Sequence, residues 1–191
     1  MDGLVDGGPR DQVVAVADDL FFTHGVHAVT MQRIRSEAGV PLKKLYGMFP
    51  SKDVLLAASL ERRDRIARSA IAERAEKCDD PVERALAVFD FLDEWFRQPG
   101  FHGCVFAGAF GEGSAAAPVV VSAVRAHKQG LRELVTALVA GTGVRDADAV
   151  GAQLAVLVDG AMAVATFTGD TDAARHARQA ARAVLDTALR G

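Results

Sequence analysis

The chain has 191 residues, of which 50% are hydrophobic and 25% charged, and its formal net charge is −3. A soluble chain of this length can bury roughly 70% of the surface of its unfolded state, which predicts one packed body with a small additional head domain. The two cysteines, Cys78 and Cys104, are isolated and form no Cys-x-x-Cys pair. This spacing argues against both a disulfide framework and a structural zinc site.

The first residues predict a cytoplasmic protein. Residues 1–8 are rich in glycine and aspartate and lack the basic and then apolar order of a signal peptide. No apolar run approaches the roughly 18 residues that a membrane-spanning helix needs, so we expect no membrane partner. We expect a mobile arm over residues 1–8, followed by a first helix that Pro9 opens near Arg10.

Residues 30–52 predict two short helices joined by a tight turn. Thr30 is a favourable N-cap residue, and apolar residues recur at helical spacing from Met31 to Ala38. Gly39 stands where the chain must leave this helix and enter another. Pro41 suits the first turn of the second helix, whose first N–H groups lack intrahelical partners.

The second helix, expected from Pro41 to Gly47, has a cationic outer side. Its apolar residues turn inward, which leaves Lys43, Lys44 and Tyr46 able to meet a phosphate backbone, as in a DNA-reading helix-turn-helix. Residues 30–52 carry a local charge of +4, from the single anion Glu37 and five cations: Arg33, Arg35, Lys43, Lys44 and Lys52. Because the Debye length is about 8 Å at physiological salt, DNA experiences this patch more than the acidic remainder.

About 50 consecutive residues resemble the TetR family of transcriptional regulators. The family's first helix is similar to residues 13–25, which precede a short link and a helix opened by threonine. Further hallmarks are similar to Ala38-Gly39-Val40, to Leu45-Tyr46 and to residues 49–56, Phe-Pro-Ser-Lys-Asp-Val-Leu-Leu. The resemblance implies a DNA-binding regulator, and the predicted DNA contacts are Thr30, Gln32, Arg33, Lys43, Lys44, Tyr46 and Lys52.

The second helix departs from the family pattern at two places. Lys44 stands where members usually carry a small or hydroxyl residue, and Gly47 and Met48 follow Tyr46 where members often carry histidine. A glycine removes one phosphate contact, whereas an additional lysine can supply another. The operator sequence therefore cannot be inferred from the resemblance.

The whole chain predicts an all-α fold of about nine helices, without strand or repeat signals. We assign residues 1–50 to an N-terminal arm and helix-turn-helix domain, and residues 51–191 to a ligand-binding and dimerisation domain. Further helices are expected at 51–78, 81–97, 118–140, 146–168 and 170–189. Asp170 or Thr171 is expected to cap the last of them.

The last two helices are rich in small residues and predict a dimer. The resemblance implies that the same helix pair from two protomers forms a four-helix bundle. A single recognition helix also discriminates too weakly to select one genomic site. The alternative is that the pair packs only into its own core. The predicted interface residues are Leu154, Leu157, Val158, Ala161, Ala165, Ala177, Ala181 and Val184.

The middle of the chain predicts a site for a small hydrophobic or aromatic inducer. Seven aromatic residues fall between positions 89 and 110, and five glycines interrupt the same region although glycine is unfavourable in helices. The segment Gly103-Cys104-Val105-Phe106, followed by Glu112, resembles the start of the sixth helix in one branch of the family, where it lines the inducer site. The alternative is an ordinary aromatic core. The predicted ligand-binding residues are Phe89, Trp95, Phe96, His102, Cys104, Phe106, Phe110, His127, Asp159 and Met162.

Catalysis is the weaker interpretation. His102 and Cys104 are a base and a nucleophile two residues apart, but positions with this spacing diverge on a helix. No His, Cys, Asp or Glu set has metal-ligand spacing, so we expect no catalytic residue, metal or cofactor. A second alternative is a helical dimer that binds a small molecule and no longer binds DNA, which Gly47 and Met48 make conceivable.

Overall fold

The computed structural model describes residues 7–111 and 117–191, and over these ranges the chain forms nine α-helices and no strand. This confirms the predicted all-α class. The helices are α1 (Pro9–His24), α2 (Met31–Ala38), α3 (Leu42–Met48), α4 (Lys52–Glu76), α5 (Pro81–Phe96), α6 (Val105–Gly111), α7 (Pro118–Ala140), α8 (Ala147–Thr168) and α9 (Ala173–Arg190). Most of the predicted arm, and Glu112 with residues 113–116, lie outside the described residues.

Two helix starts differ from the sequence prediction. Pro41 is the N-cap of α3 in an extended conformation, so α3 begins one residue later than expected. The predicted cap of α9 by Asp170 or Thr171 is wrong, because the N-cap is Asp172. Gly169 adopts a left-handed conformation with φ 74° and ends α8. The Asp170 carboxylate then accepts a hydrogen bond from the Asp172 N–H at 2.9 Å, which forms a turn before the helix starts.

The chain divides into two compact units. The first comprises the described residues up to Asp64 together with Val105–Ala126, and the second comprises Arg65–Cys104 with His127–Gly191. In the second unit α9 packs against both α8 and α5. Nothing in these units tests the functional boundary that we place after residue 50.

The core of the second unit combines apolar packing with ion pairs. Phe89, Leu154 and Leu185 are fully buried at the centre of this core. Arg178 of α9 donates hydrogen bonds to the carboxylates of Asp90 at 2.8 Å and Glu83 at 2.5 Å. These contacts fix α9 along α5, since charge-assisted hydrogen bonds add directionality to the apolar contact.

Helix α8 corrects the expectation that no segment is apolar enough to cross a membrane. It has 22 residues and an 18-residue window with a mean hydropathy of 1.6. Seven of its residues are buried within the protomer, and only 33% of the window is buried. A core helix of a soluble protein meets the same length and composition criteria, so α8 is weak evidence for a membrane segment.

Candidate nucleic-acid interface

The turn between α2 and α3 is built by two capping residues. The Thr30 hydroxyl oxygen accepts a hydrogen bond from the Arg33 N–H at 3.2 Å, which satisfies one of the unpaired N–H groups at the start of α2. Gly39 ends α2 with φ 65° and ψ 26°, a conformation that favours glycine. The Val40 N–H then bonds to the Arg35 carbonyl at 3.3 Å, as in a Schellman motif. The predicted N-cap and turn are confirmed.

Helix α3 is anchored on one side and open on the other. Leu45 within α3 and Phe49 at its end are 0% exposed, so the helix cannot rotate without disrupting the core. Lys43 and Lys44 are exposed, and the Tyr46 side chain is 46% exposed. The structure therefore brings together the two lysines and the tyrosine that the sequence analysis placed on this face.

Helix α2 adds polar side chains next to this face, and one of them is already engaged. Gln32 and Arg35 are exposed. The Arg33 guanidinium donates to Glu37 at 3.0 Å and lies 2.9 Å from Nε2 of His24. Because Glu37 offsets the charge of Arg33, the net positive charge of the surface comes from the remaining cations.

Lys52 has a position that the sequence analysis did not anticipate. Its ammonium group donates to the carbonyl oxygens of Val26 at 3.0 Å and Val29 at 3.3 Å. Both carbonyls lie in the link between α1 and α2, so Lys52 fastens the start of α4 to that link. We therefore assign Lys52 to the support of the helix-turn-helix and leave it out of the proposed DNA contacts.

A buried ionic cluster also supports the helix-turn-helix, and the sequence analysis missed it. Asp18 of α1 is only 4% exposed, and its carboxylate bonds to Arg62 at 3.1 Å and to Arg63, both on α4. The Arg63 guanidinium lies 4.1 Å from the centre of the Phe22 ring. An acidic residue between apolar neighbours of α1 was the available signal, because such a residue needs a buried partner.

Burial raises the pKa of the Asp18 carboxyl above its ordinary value, although Arg63 and Arg62 act in the opposite direction. A group whose folded-state pKa exceeds its unfolded-state value stabilises the fold below the unfolded-state pKa. That contribution is lost as the pH rises through the folded-state pKa. The titration of Asp18 by itself therefore does not cause unfolding in acid.

Replacing Asp18 with alanine is expected to destabilise the protein by about 2 kcal/mol. This is less than the roughly 3–5 kcal/mol typical of a fully buried pair, because Arg62 and Arg63 are 27% and 21% exposed and can reach water. Thermal unfolding at neutral pH should show a melting temperature lower by about 4–8 °C.

The neighbouring Asp19 provides the control for this prediction, because it is exposed. The substitution Asp19→Ala should change the stability by less than about 0.5 kcal/mol. An equal loss in the two variants would show that the Asp18 cluster has no special role.

The predicted ligand-binding residues are divided between the two units, and each unit is described separately. Phe106 and Phe110 belong to the first unit, where Phe106 is buried and Phe110 is 45% exposed. The other eight belong to the second unit. There Phe89, Phe96, His127 and Met162 are buried, Trp95 and Cys104 are half-buried, and His102 and Asp159 are exposed.

Several aromatic rings of the second unit pack on one another. The Trp95 and Phe101 rings meet edge to face at 5.6 Å, and the Phe96 and Phe101 ring centres are 4.9 Å apart. The Asp159 carboxylate pairs with Lys128 at 2.5 Å. These contacts are also what an ordinary aromatic core produces, so the assignment of an inducer site stays a prediction.

The predicted dimer residues lie mainly inside the protomer. Leu154, Val158, Ala161, Ala165, Ala177 and Ala181 are buried in the core of the second unit, and Leu157 and Val184 are half-buried against it. A side chain already covered within one protomer cannot contribute new apolar contact to a second one. The sequence prediction therefore selected the inward face of α8 and α9.

A second apolar face of α8 is exposed. Val156 is 71% exposed, Val164 43% and Phe167 81%. Gly160 and Ala163 are exposed as well, and these five positions recur at helical spacing on one side of the helix. Exposed contiguous apolar surface is typical of a protein–protein contact.

The fold and the capped, cationic α2–α3 segment define a helix-turn-helix DNA-binding protein. The family model described as bacterial regulatory proteins, tetR family, matches residues 13–59. A TetR-family transcriptional regulator from Streptomyces coelicolor is 32% identical, with 94% of this chain and 89% of that chain covered and a TM-score of 0.81. The chain therefore belongs to the TetR family of bacterial transcriptional regulators, whose members are DNA-binding regulators and not enzymes.

Two further structures show the same fold. A TetR transcriptional regulator from Streptomyces avermitilis is 27% identical, covering 95% of this chain and 98% of that chain, with a TM-score of 0.79. A transcriptional regulator from Saccharomonospora viridis, in complex with choline, is 21% identical, covering 93% and 95%, with a TM-score of 0.70. The second likeness concerns the fold alone.

Proposed function

We propose that this regulator is a cytoplasmic repressor that binds a palindromic operator as a homodimer and is released by a small hydrophobic or aromatic inducer. The observation that carries the DNA-binding step is the exposed side of α3, where Lys43, Lys44 and Tyr46 stand on a helix fixed by buried Leu45. We assign phosphate contacts to the lysines and to the Tyr46 hydroxyl. Thr30, Gln32 and Arg33 border the same surface.

The exposed apolar face of α8, from Val156 to Phe167, supports the homodimer. A second copy of the same face can cover it through a two-fold axis, which gives a self-complementary contact. Base readout by one α3 is worth only about 1–3 kcal/mol per good contact. Two α3 helices placed roughly 34–36 Å apart, one turn of DNA, double the readout and require a near-palindromic operator.

The proposed inducer site lies among the aromatic residues of the middle helices. Half-buried Trp95 and Cys104 and buried His127 and Met162 supply apolar surface with a few polar groups, the usual composition of a small-molecule site. The complex of the Saccharomonospora viridis regulator with choline shows that a related fold binds a small molecule. For this chain we propose that ligand binding favours a head spacing that no longer matches successive major grooves.

A coupling of about 1–3 kcal/mol between inducer and operator changes operator affinity roughly 5-fold to 150-fold. A change of that size is sufficient to switch a promoter. Helix α4, Lys52–Glu76, belongs to both compact units, and we propose that it transmits the change.

The test selects bound fragments from a genomic or random DNA pool and then challenges the complex with aromatic and acyl compounds. An enriched near-palindrome, released by one compound, supports the full proposal. Enrichment without release by any compound contradicts the proposed inducer class. Failure to prefer any duplex, combined with compound binding, supports the alternative of a small-molecule-binding dimer that does not bind DNA.

A further inference from the structure

Gly47 in α3 has no structural requirement for glycine within the protein. A Cβ atom added at Gly47 would meet nothing within 4 Å, and its φ is not in the left-handed region. By contrast, Gly39 needs glycine for its φ of 65°, and a Cβ at Gly103 would approach the Thr166 side chain to 2.6 Å. Because glycine is among the least favourable residues in a helix, Gly47 weakens α3 without an internal benefit.

The position of Gly47 suggests where the benefit lies. Gly47 follows Lys43 by four residues and Lys44 by three, and residues with these spacings are neighbours on one helix face. All three are exposed. The cationic face of α3 therefore has two lysine side chains on one turn and bare helix backbone on the next.

We propose that Gly47 is the point of closest approach between α3 and the operator, where a sugar–phosphate strand lies against the bare helix backbone. At this distance the ammonium groups of Lys43 and Lys44 reach phosphates on the same strand. Hydrogen bonds to phosphate weaken steeply with distance, so any side chain at position 47 displaces the strand and weakens those contacts. This inference rests on the proposed function.

The experiment compares wild type, Gly47→Ala and Gly47→Leu on the operator selected above and on an unrelated duplex. Gly47→Ala is expected to raise the melting temperature by roughly 2 °C because alanine favours the helix. It should nevertheless lower operator affinity about tenfold, the loss expected when close phosphate contacts are weakened. Gly47→Leu should lower affinity further, and both variants should reduce the salt dependence of binding.

Gly108→Ala is the matched control. Gly108 is also exposed on a helix, α6, and a Cβ there would likewise meet nothing within 4 Å. This variant should gain stability in the same way and keep wild-type operator affinity. The combination of higher stability with lower affinity should therefore be confined to position 47.

The outcomes separate the two proposals. If wild type binds the operator and Gly47→Ala binds it equally well or better, the close approach at Gly47 is refuted while the DNA-binding function stands. An equal loss of affinity in Gly108→Ala also refutes it. If wild type binds no duplex above background, the proposed function itself fails.

Discussion

Replacing Val156 and Phe167 together with glutamate is expected to convert the homodimer into a monomer and to lower operator affinity more than 100-fold. The two side chains are 71% and 81% exposed in the protomer, so charged residues there leave the fold of each chain intact. In a two-fold dimer the substitution would bury four carboxylates against apolar surface, which is strongly unfavourable. A monomer binds one half-site only and loses the roughly 10²–10⁴-fold gain of joined binding sites.

Sedimentation velocity and operator titration on the same samples test this expectation. Ile66→Glu is the control, because Ile66 is an exposed aliphatic residue on α4, 44% exposed, and lies outside the α8 face. That variant should stay dimeric and keep wild-type affinity. A dimeric Val156→Glu, Phe167→Glu variant would show that the interface lies elsewhere.

The helix-turn-helix could be predicted from sequence because its determinants are local. The cap at Thr30 involves an N–H three residues away, and the left-handed turn is fixed by the single residue Gly39. Inward and outward positions of the seven-residue α3 follow from helical spacing once Leu45 is placed inside. None of these features depends on how distant elements pack.

The supporting contacts could not be predicted because their partners are distant in sequence. Lys52 bonds to carbonyl groups 26 and 23 residues away, and Asp18 bonds to arginines 44 and 45 residues away. Local charge patterning identifies Lys52 as one more cation of the patch, whereas the folded chain uses its ammonium group as a tie. Only the tertiary arrangement distinguishes the two roles.

The dimer face failed for a different reason. Helix α8 is apolar on more than one side, so its sequence periodicity does not determine which side packs inward. Leu154 and Val158 face the protomer core, while Val156 and Phe167 are exposed. Residue type alone does not distinguish a valine of the core from a valine of an interface.

Replacing Lys43 and Lys44 together with alanine is expected to lower operator affinity roughly 30-fold at 0.15 M salt, as two lost phosphate contacts imply from the counterion-release slope. Both side chains are exposed, so stability should change by less than about 0.5 kcal/mol. The slope of log affinity against log salt should become shallower by about 2. Binding to unrelated duplexes should weaken similarly, because phosphate contacts carry no sequence information.

The matched control for this pair is Lys77→Ala with Arg132→Ala, two exposed cations of the second unit. It removes the same total charge, so a general electrostatic effect would weaken binding equally in both double variants. If the Lys43, Lys44 variant alone loses affinity and salt dependence, the contact lies on α3 and the local charge outweighs the overall −3. If both variants lose affinity equally, the protein attracts DNA only through its net charge and α3 is not the reading helix.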